Sequence, residues 1–219
     1  RSISRRKSRI PLQHITGYQE FMGLRFQVTE DVLIPRQDTE TLVEEVMRYL
    51  HDGMRILDMC TGSGCILLSL LHYSNDCVGV GSDISQKALA VAKTNAESLG
   101  KEATFVQGDL FEPIEGKFDF IVSNPPYIPT KVIETLEVEV KDHDPISALD
   151  GMEDGLFFYR KIVDRAGEYL YPGGMLFFEI GCEQAEDVKK MMTEAGYHDV
   201  TVCKDLAGLD RVVYGTFPG

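Results

Sequence analysis

The chain contains a short segment whose residue types suit the binding of a planar –NH2 group. Asn124, Pro125, Pro126 and Tyr127 follow the apolar run 118–123, which is typical of a buried strand. The two prolines have no backbone N–H, so the local main chain offers acceptors and few donors. The Asn124 side chain adds an acceptor oxygen, and Tyr127 adds a flat aromatic face. A Pro-rich turn that simply ends a strand is the structural alternative.

A second segment, residues 58–65 (Asp-Met-Cys-Thr-Gly-Ser-Gly-Cys), has the pattern of a ligand-binding turn. It lies between the strand-like run 55–57 and the apolar helical run 66–71. A strand, a glycine-containing turn and a helix in this order let a ligand approach main-chain N–H groups closely. A dinucleotide fingerprint would require a third glycine where Leu67 stands. Asp58 instead suits a ligand with an amino-acid end, because its carboxylate can pair with the ammonium group.

Two further aspartates follow predicted strands. Asp83 ends the run 78–82, and Asp109 follows the run 104–107. Because the carboxyl ends of parallel strands meet at one edge of a sheet, both are expected beside Asp58 at a common ligand-binding edge. There the Asp83 carboxylate can accept both hydroxyls of a ribose. Each aspartate alone is also a common helix cap, and only their coincidence with the glycine turn favours binding.

Length and composition bound the class of protein. The 219 residues fit one large domain with a full core. The five cysteines form no Cys-x-x-Cys pair and no metal-ligand spacing, which favours a reduced, cytoplasmic protein without a metal. No apolar run approaches membrane-spanning length and no signal-peptide pattern is present, so we expect no membrane association.

The sequence resembles class I S-adenosylmethionine-dependent methyltransferases and, more narrowly, the glutamine N5-methyltransferases that modify peptide-chain release factors. The resemblance extends from about residue 11 to the end of the chain. Besides the Asn-Pro-Pro-Tyr segment (residues 124–127), it rests on Gly-Tyr-Gln-Glu-Phe at 17–21, on Leu-Ile-Pro-Arg-Gln-Asp-Thr-Glu at 33–40, and on Asp144-Pro145, Ala148-Leu149 and Gly151. The Asn-Pro-Pro-Tyr segment is shared with adenine N6-methyltransferases, whereas the 33–40 segment is far more specific to the protein-modifying group.

The resemblance implies that the chain uses S-adenosylmethionine, with S-adenosylhomocysteine as the product, and no metal. The residues expected to bind this cofactor are Arg36, Asp58, Cys60, Thr61, Gly62, Ser63, Gly64, Asp83, Asp109, Leu110 and Asn124. The chain departs from the family pattern at Cys60, where the first glycine of the loop is usual, and at Leu110, which can be aromatic in relatives. The small Cys60 is compatible with binding, and Leu110 can pack on an adenine face without full stacking.

The expected reaction is direct transfer of the sulfonium methyl to the side-chain amide nitrogen of a glutamine. We predict that the catalytic residues are Asn124, Pro125, Pro126 and Tyr127. The Asn124 side-chain oxygen and the Pro125 carbonyl would accept the two amide hydrogens, and Tyr127 would pack against the amide plane. An amide nitrogen is a poor nucleophile, so the catalytic gain would come mainly from positioning.

Three further residues leave more than one interpretation open. Arg36 could anchor the cofactor carboxylate or hold the Asn-Pro-Pro-Tyr segment, or it could form an ion pair with Asp38 or Glu40. His143 and Glu179 lie near predicted strand ends. A lone His or Glu at such a place more often forms a local hydrogen bond, so neither is assigned to the catalytic set.

Charge separates the possible substrates. The net charge is −13, although Arg1, Arg5, Arg6, Lys7 and Arg9 concentrate positive charge at the N-terminus. Without those five, 17 of the 22 basic residues remain against 35 acidic residues. Such a body is poorly suited to a phosphate backbone, which favours a release factor over nucleic acid as partner. An adenine N6- or guanine N2-methyltransferase, and a non-catalytic module that keeps a nucleotide pocket, are the alternatives.

Residues 130–151 form an acidic stretch. Its acidic residues are Glu134, Glu137, Glu139, Asp142, Asp144 and Asp150. Such a stretch is usually a solvated face. Our hypothesis is that part of it flanks the substrate entry and favours a basic protein loop.

The pattern of apolar residues predicts an α/β fold with a Rossmann-like, mostly parallel sheet, helices on both faces and a short β-hairpin region before it. Seven strands, with the last antiparallel, are what the resemblance adds. Helices are predicted at 37–50, 85–99, 154–171 and 184–195, a hairpin at 21–28, and strands at 175–180, 200–203 and 212–216. Asp38 or Thr39 is expected to cap the first of these helices.

The chain is expected to divide into three parts. Residues 1–10 are interpreted as a basic linker remnant, residues 11–36 as the hairpin and a loop, and residues 37–219 as the methyltransferase domain. The first residue is not Met, and members of the family usually carry a small helical domain before this region. We therefore expect the sequence to lack that domain.

Overall fold

A computed structural model describes residues 10–141 and 143–219. Its strands are β1 (Tyr18–Phe21), β2 (Leu24–Gln27), β3 (Arg55–Met59), β4 (Val78–Asp83), β5 (Thr104–Gln107), β6 (Phe118–Ser123), β7 (Leu170–Glu179), β8 (His198–Lys204) and β9 (Asp210–Thr216). The first two form a separate antiparallel hairpin, and the other seven form one sheet in the order β5-β4-β3-β6-β7-β9-β8.

The sheet is parallel from β5 through β7 and antiparallel beyond it. Strands β3, β4, β5, β6 and β7 pair in parallel. Strand β9 runs antiparallel to both β7 and β8. This arrangement confirms the predicted seven-stranded, mostly parallel sheet whose last strand is antiparallel.

Helices cover both faces of the sheet. They are α1 (Leu12–Thr16), α2 (Gln37–Met47), α3 (Cys65–His72), α4 (Gln86–Ser98), α5 (Thr130–Ile133), α6 (Val138–Lys141), α7 (Ile146–Leu149), α8 (Phe157–Ala166) and α9 (Ala185–Glu194). Within the described ranges, each helix is too short or too polar to traverse a lipid bilayer.

The side chains of β7 alternate between two hydrophobic clusters. Phe177 packs in the cluster that contains the apolar residues of α2 and α3. Leu176 and Phe178 pack in the cluster that contains those of α8 and α9. All three side chains are fully buried. Because successive side chains of a strand point to opposite faces, a continuous apolar strand here requires helices on both sides.

A buried amide links the hairpin to α4 and to the turn after β3. Asn95 of α4 is 1% exposed, and its Oδ1 accepts a hydrogen bond from the Gln27 N–H at 2.7 Å. Its Nδ2 donates to the carbonyls of Gln27 and Ser63 at 3.1 and 2.9 Å. Asn95 therefore links the hairpin, α4 and the turn after β3.

The boundary between α8 and β7 differs from the prediction. We expected a helix over 154–171, stopped by Pro172-Gly173-Gly174, but α8 ends at Ala166, a short 3₁₀ turn follows at Gly167–Tyr169, and β7 begins at Leu170. The proline and glycines lie inside the strand, at a register shift. Phe217 pairs with the main chain of the two glycines. Its carbonyl accepts a hydrogen bond from the Gly173 N–H at 2.8 Å, and its N–H donates to the Gly174 carbonyl at 2.7 Å.

Helix α2 is not capped as expected. Arg36 is at its N-cap without a side-chain hydrogen bond to the helix, and the Thr39 hydroxyl instead donates to Glu179. A buried tertiary acceptor therefore replaces the local cap. By contrast, Ser85 caps α4, and its Oγ accepts from the Ala88 N–H at 3.1 Å.

Some predictions fall on residues that the structure does not describe. The basic stretch 1–9 and Asp142 lie outside the described residues. The side chains of Glu139 and Lys141 are likewise not described.

Candidate active site

A cavity of about 420 Å³ opens at the carboxyl edge of the parallel strands. The loops after β3, β4, β5 and β6 line it, together with the segment before α2 and the region around α7. The predicted site residues in its wall are Arg36, Cys60, Thr61, Gly62, Ser63, Asp83, Asp109, Leu110, Asn124 and Pro126. The structure thus brings the glycine turn, two of the three predicted acids and the Asn-Pro-Pro-Tyr segment to one cavity.

Four predicted site residues are not among those that line the cavity. They are Asp58, Gly64, Pro125 and Tyr127. Gly64 begins α3 with φ +81°, and a Cβ there would lie 3.1 Å from Leu68 Cδ1 and 3.3 Å from Ala92 Cβ. Its observed role is therefore close packing of α3 against α4, in a left-handed conformation that glycine adopts readily.

The turn after β3 is held by main-chain hydrogen bonds. The Thr61 N–H donates to the Ser82 carbonyl at 2.9 Å, and the Gly64 N–H donates to the Thr61 carbonyl at 2.9 Å. Cys60 has a φ of +61°, a value that favours glycine. The conformation explains why glycine is usual at this position, and Cys60 adopts it at the cost of some backbone strain.

Asp58 is fully buried in β3. Its Oδ2 accepts a hydrogen bond from the Thr61 hydroxyl at 2.7 Å, while its Oδ1 has no partner among the described residues. Burial raises the pKa of this carboxyl to about 7, and hydrogen bonding by the Thr61 hydroxyl and the Leu67 main chain opposes the rise. A buried carboxylate oxygen without a donor is costly, and a cationic ligand group could compensate that cost.

Asp83 is the last residue of β4 and lies in the cavity wall. Its Oδ2 accepts from the Gly62 N–H and its Oδ1 from the Ser85 N–H, both at 2.9 Å. Burial raises its pKa, and these hydrogen bonds oppose the rise. Each carboxylate oxygen has a further lone pair, so the residue is fixed in place and still able to accept from a ligand.

Asp109 and Leu110 lie beyond β5. Asp109 is exposed and Leu110 is half-buried, and both line the cavity. Leu110 has a φ of +50°. Strained residues cluster at ligand sites, and Met152 of the same wall also has a positive φ, +68°.

The Asn-Pro-Pro-Tyr segment continues directly from β6. Asn124 is half-buried in the cavity wall, and its side-chain amide forms no hydrogen bond within the described part of the chain. Both prolines are buried. The Tyr127 hydroxyl donates to Glu179 Oε2 at 3.2 Å. The segment therefore offers a free amide from a fixed main chain.

Arg36 forms a different ion pair from those considered above. Its Nη2 lies 3.0 Å from Oδ2 of Asp144, whereas Asp38 lies 3.7 Å from Arg211. The alternative of a pair with Asp38 or Glu40 is therefore wrong, because chain packing brings a residue 108 positions away within reach. Burial raises the pKa of Asp144 to about 6, and Arg36 opposes the rise.

Sequence reasoning missed the apolar part of the wall. Its members include Val32, Leu33, Ile34, Ile84, Ala88, Ile146, Ala148, Met152 and Phe158. Two signals could have found some of them: Leu33 and Ile34 precede the Pro35-Arg36 pair, and Ala148 belongs to a segment already singled out. Exposed Ile84, directly after Asp83, had no such signal.

The described residues contain no group of three or more His, Cys, Asp or Glu side chains placed to hold a metal ion.

The sequence predicts no role for Glu179 in the site, yet its carboxylate accepts hydrogen bonds from the Thr39 and Tyr127 hydroxyls.

Comparisons with known proteins show the family of this chain. A family model described as a methyltransferase small domain matches residues 37–139. The release factor glutamine methyltransferase of Geobacter sulfurreducens is 49% identical over 214 residues, which are 97% of this chain and 75% of that protein. The protein of the same name from Clostridium acetobutylicum is 46% identical over 218 residues, which are 96% of this chain and 76% of that protein.

Solved structures share the fold. A methyltransferase from Pyrococcus furiosus aligns with a TM-score of 0.70 over 99% of this chain and 100% of that one, and its 18% identity supports the fold alone. A release-factor-specific protein-(glutamine-N5) methyltransferase from Alicyclobacillus acidocaldarius aligns with a TM-score of 0.54 and 31% identity, over 89% of this chain and 100% of that one. The chain belongs to the release factor glutamine methyltransferase family.

Proposed function

We propose that this enzyme methylates the side-chain amide nitrogen (N5) of the glutamine in the Gly-Gly-Gln loop of peptide-chain release factors. Relatives at 42–49% identity are named release factor glutamine methyltransferases. In the structure, the observation that carries the proposal is the uncommitted Asn124 amide in the wall of the cavity. A primary amide of a substrate needs such an acceptor to be oriented.

S-adenosylmethionine fits the residues of the β3–β5 side. The unpartnered Asp58 oxygen suits the ammonium group, and Asp83 has lone pairs for ribose hydroxyls. The apolar residues Ile84, Ala88 and Leu110 suit the adenine. When bound, the cofactor supplies an electrophilic methyl group.

The Asn-Pro-Pro-Tyr segment would position the glutamine. The Asn124 side-chain oxygen and the Pro125 carbonyl would accept the two amide hydrogens, and the Tyr127 ring would pack against the amide plane. Because the amide lone pair is delocalised, holding the nitrogen in line with the methyl contributes more than removing a proton beforehand. Orientation of this kind can supply effective molarities of about 10⁵ M or more.

Arg36 would connect the part of the site that binds the cofactor with the part that receives the substrate. It lines the cavity and pairs with Asp144, in the stretch that we propose faces the substrate. With 36% of its side chain exposed, Arg36 can still reach an anionic ligand group such as the cofactor carboxylate.

The acidic surface of the protein supports a protein substrate over a nucleic acid, and a substrate that acts on the ribosome would place the enzyme in the cytoplasm. The five cysteines are unpaired, which agrees with a reducing compartment.

The test is peptide mass spectrometry of a purified bacterial release factor after incubation with the protein and S-adenosylmethionine. We expect one added methyl on the Gly-Gly-Gln glutamine. Methylation of an oligonucleotide in parallel, with the release factor unmodified, would overturn the proposal in favour of an adenine or guanine methyltransferase.

A further inference from the structure

Glu179, at the end of β7, joins the start of α2 to the Asn-Pro-Pro-Tyr segment. Its Oε1 accepts a hydrogen bond from the Thr39 hydroxyl, and its Oε2 accepts one from the Tyr127 hydroxyl at 3.2 Å. Thr39 lies in the first turn of α2, three residues after Arg36, and like Arg36 it lines the cavity. Glu179 is 3% exposed, so these contacts are shielded from water.

A residue of the loop that follows β7, Gln184, holds the main chain of Tyr127. The Gln184 Nε2 donates to the Tyr127 carbonyl at 2.9 Å and to the Gly155 carbonyl at 3.3 Å. Its Oε1 accepts from the Gly181 N–H at 2.9 Å. The amide of Gln184 therefore fixes three main-chain groups at once.

The other side of Tyr127 is packed against two glycines. A Cβ on Gly155 would lie 2.5 Å from the Tyr127 carbonyl oxygen, and one on Gly151 would lie 2.8 Å from Tyr127 Cα. Neither distance is compatible with a side chain. Tyr127 is thus held at its hydroxyl, at its carbonyl and along its backbone, which leaves it little freedom to move.

We propose, on the basis of the function inferred above, that Glu179 and Gln184 are positioning residues for the methyl acceptor. Glu179 orients the Tyr127 ring through its hydroxyl, and Gln184 fixes the main chain that carries both Tyr127 and Asn124. Through Thr39, Glu179 also ties this arrangement to the segment that bears Arg36. A displacement of about 1 Å at a reacting group can cost about 10²-fold in rate, so such contacts have catalytic consequences without touching substrate.

If Glu179 and Gln184 had a purely structural role, their substitution would change stability alone. A positioning role would also change the rate of methyl transfer, so kinetics can separate the two roles. The test is a cycle of wild type, Glu179→Gln, Tyr127→Phe and the double variant, measured by single-turnover methyl transfer to a release factor. We expect each single substitution to slow transfer about tenfold to about 10²-fold. The double variant should be no slower than the slower single variant, because both substitutions change the same hydrogen bond, in which the Glu179 carboxylate accepts from the Tyr127 hydroxyl. The dissociation constant for S-adenosylmethionine should stay close to that of wild type.

Three further variants complete the design. Tyr49→Phe is the matched control, because it removes the part-buried Tyr49–Tyr214 hydroxyl pair at 3.1 Å and should lower the melting temperature without slowing transfer. Gln184→Met should slow transfer as Glu179→Gln does. If Glu179→Gln fails to fold, Thr39→Val removes the other hydroxyl that fixes Glu179 and should also slow transfer.

Wild-type transfer rates in Glu179→Gln and Gln184→Met, or independent, multiplying effects of Glu179→Gln and Tyr127→Phe, would overturn the proposed positioning role. A wild-type protein that leaves the release factor unmethylated would instead overturn the proposed function, so the two failures are distinguishable.

Discussion

On the β3–β5 side of the cavity, the polar contacts join residues close in sequence, whereas on the β6–β7 side they join residues far apart. Asp58 and Thr61 are 3 positions apart, and Asp83 binds groups 2 and 21 positions away. On the other side, Thr39 and Glu179 are 140 positions apart. The first side is built from a local turn and neighbouring strand ends, and the second exists only when the whole sheet has assembled.

This difference has a functional meaning in our account. The local side suits a ligand common to many methyltransferases, because strand, turn and helix can form the same site in many chains. The long-range side suits a particular acceptor, because its shape depends on contacts that only this fold provides. If the two sides are independent, substitutions on one side should change cofactor affinity and substitutions on the other should change the rate of methyl transfer.

The largest effect is expected for Asn124→Ala. Losing the proposed acceptor of the substrate amide should slow methyl transfer by about 10²-fold or more, and cofactor binding should largely survive. Single-turnover rates and calorimetric titration with S-adenosylmethionine check both parts. Asn75→Ala, at an exposed asparagine bonded to Asp52, is the matched control. Equal loss of binding and transfer would mean that the two sides are not separable.

Asp83→Ala should have the opposite profile. In the proposed site this carboxylate accepts ribose hydroxyls, so its removal should weaken S-adenosylmethionine binding about tenfold to about a hundredfold, with transfer at saturating cofactor less affected. Titration calorimetry gives the affinity. Asp154→Ala removes an exposed carboxylate paired with Arg160 and should leave the affinity unchanged. Wild-type affinity in Asp83→Ala would exclude Asp83 from the cofactor site.

The affinity for S-adenosylmethionine should depend on pH through Asp58. Its pKa is raised to about 7, so below that pH the carboxyl is protonated and cannot pair with an ammonium group. Between about pH 5.5 and about pH 7.5, where an α-amino group stays largely protonated, the affinity should rise by up to about tenfold per unit. Asp58→Asn should bind more weakly and lose most of this dependence.

The same residue has the reverse effect on stability without ligand. A carboxyl whose pKa is raised by folding stabilises the folded state when protonated, and this contribution is lost as pH rises from about 4, near the pKa of the unfolded carboxyl, through about 7. The free energy of unfolding should therefore fall less steeply with pH in Asp58→Asn. If the variant and wild type share one pH profile for binding and for unfolding, Asp58 does not have the raised pKa.

The smallest effect is expected from the acidic stretch. Replacing Glu137, Glu139 and Asp142 by their amides should raise the KM for the release factor a few-fold, and more at low salt, without changing cofactor affinity. The same change at Glu186, Asp187 and Glu194 of α9 is the control. An unchanged KM would leave the stretch as a solvated face.

The comparison also explains what the sequence could predict. The turn after β3, the acid at the end of β4 and the Asn-Pro-Pro-Tyr segment are contiguous motifs, and their positions at one sheet edge follow from parallel strands. The partners of Tyr127 and Arg36 could not be predicted, because Glu179 and Asp144 are 52 and 108 positions away. The local sequence predicts a helix stop at Pro172, because the pairing of Gly173 and Gly174 with Phe217, which places this segment in β7, has no local signal.

The most direct measurement compares methyl transfer to a bacterial release factor with transfer to the same factor carrying alanine in place of the Gly-Gly-Gln glutamine. With labelled S-adenosylmethionine, our account predicts about one methyl per unaltered release factor and none on the alanine variant. Equal incorporation into both proteins would contradict the proposed site of methylation and, with it, the role assigned to Asn124.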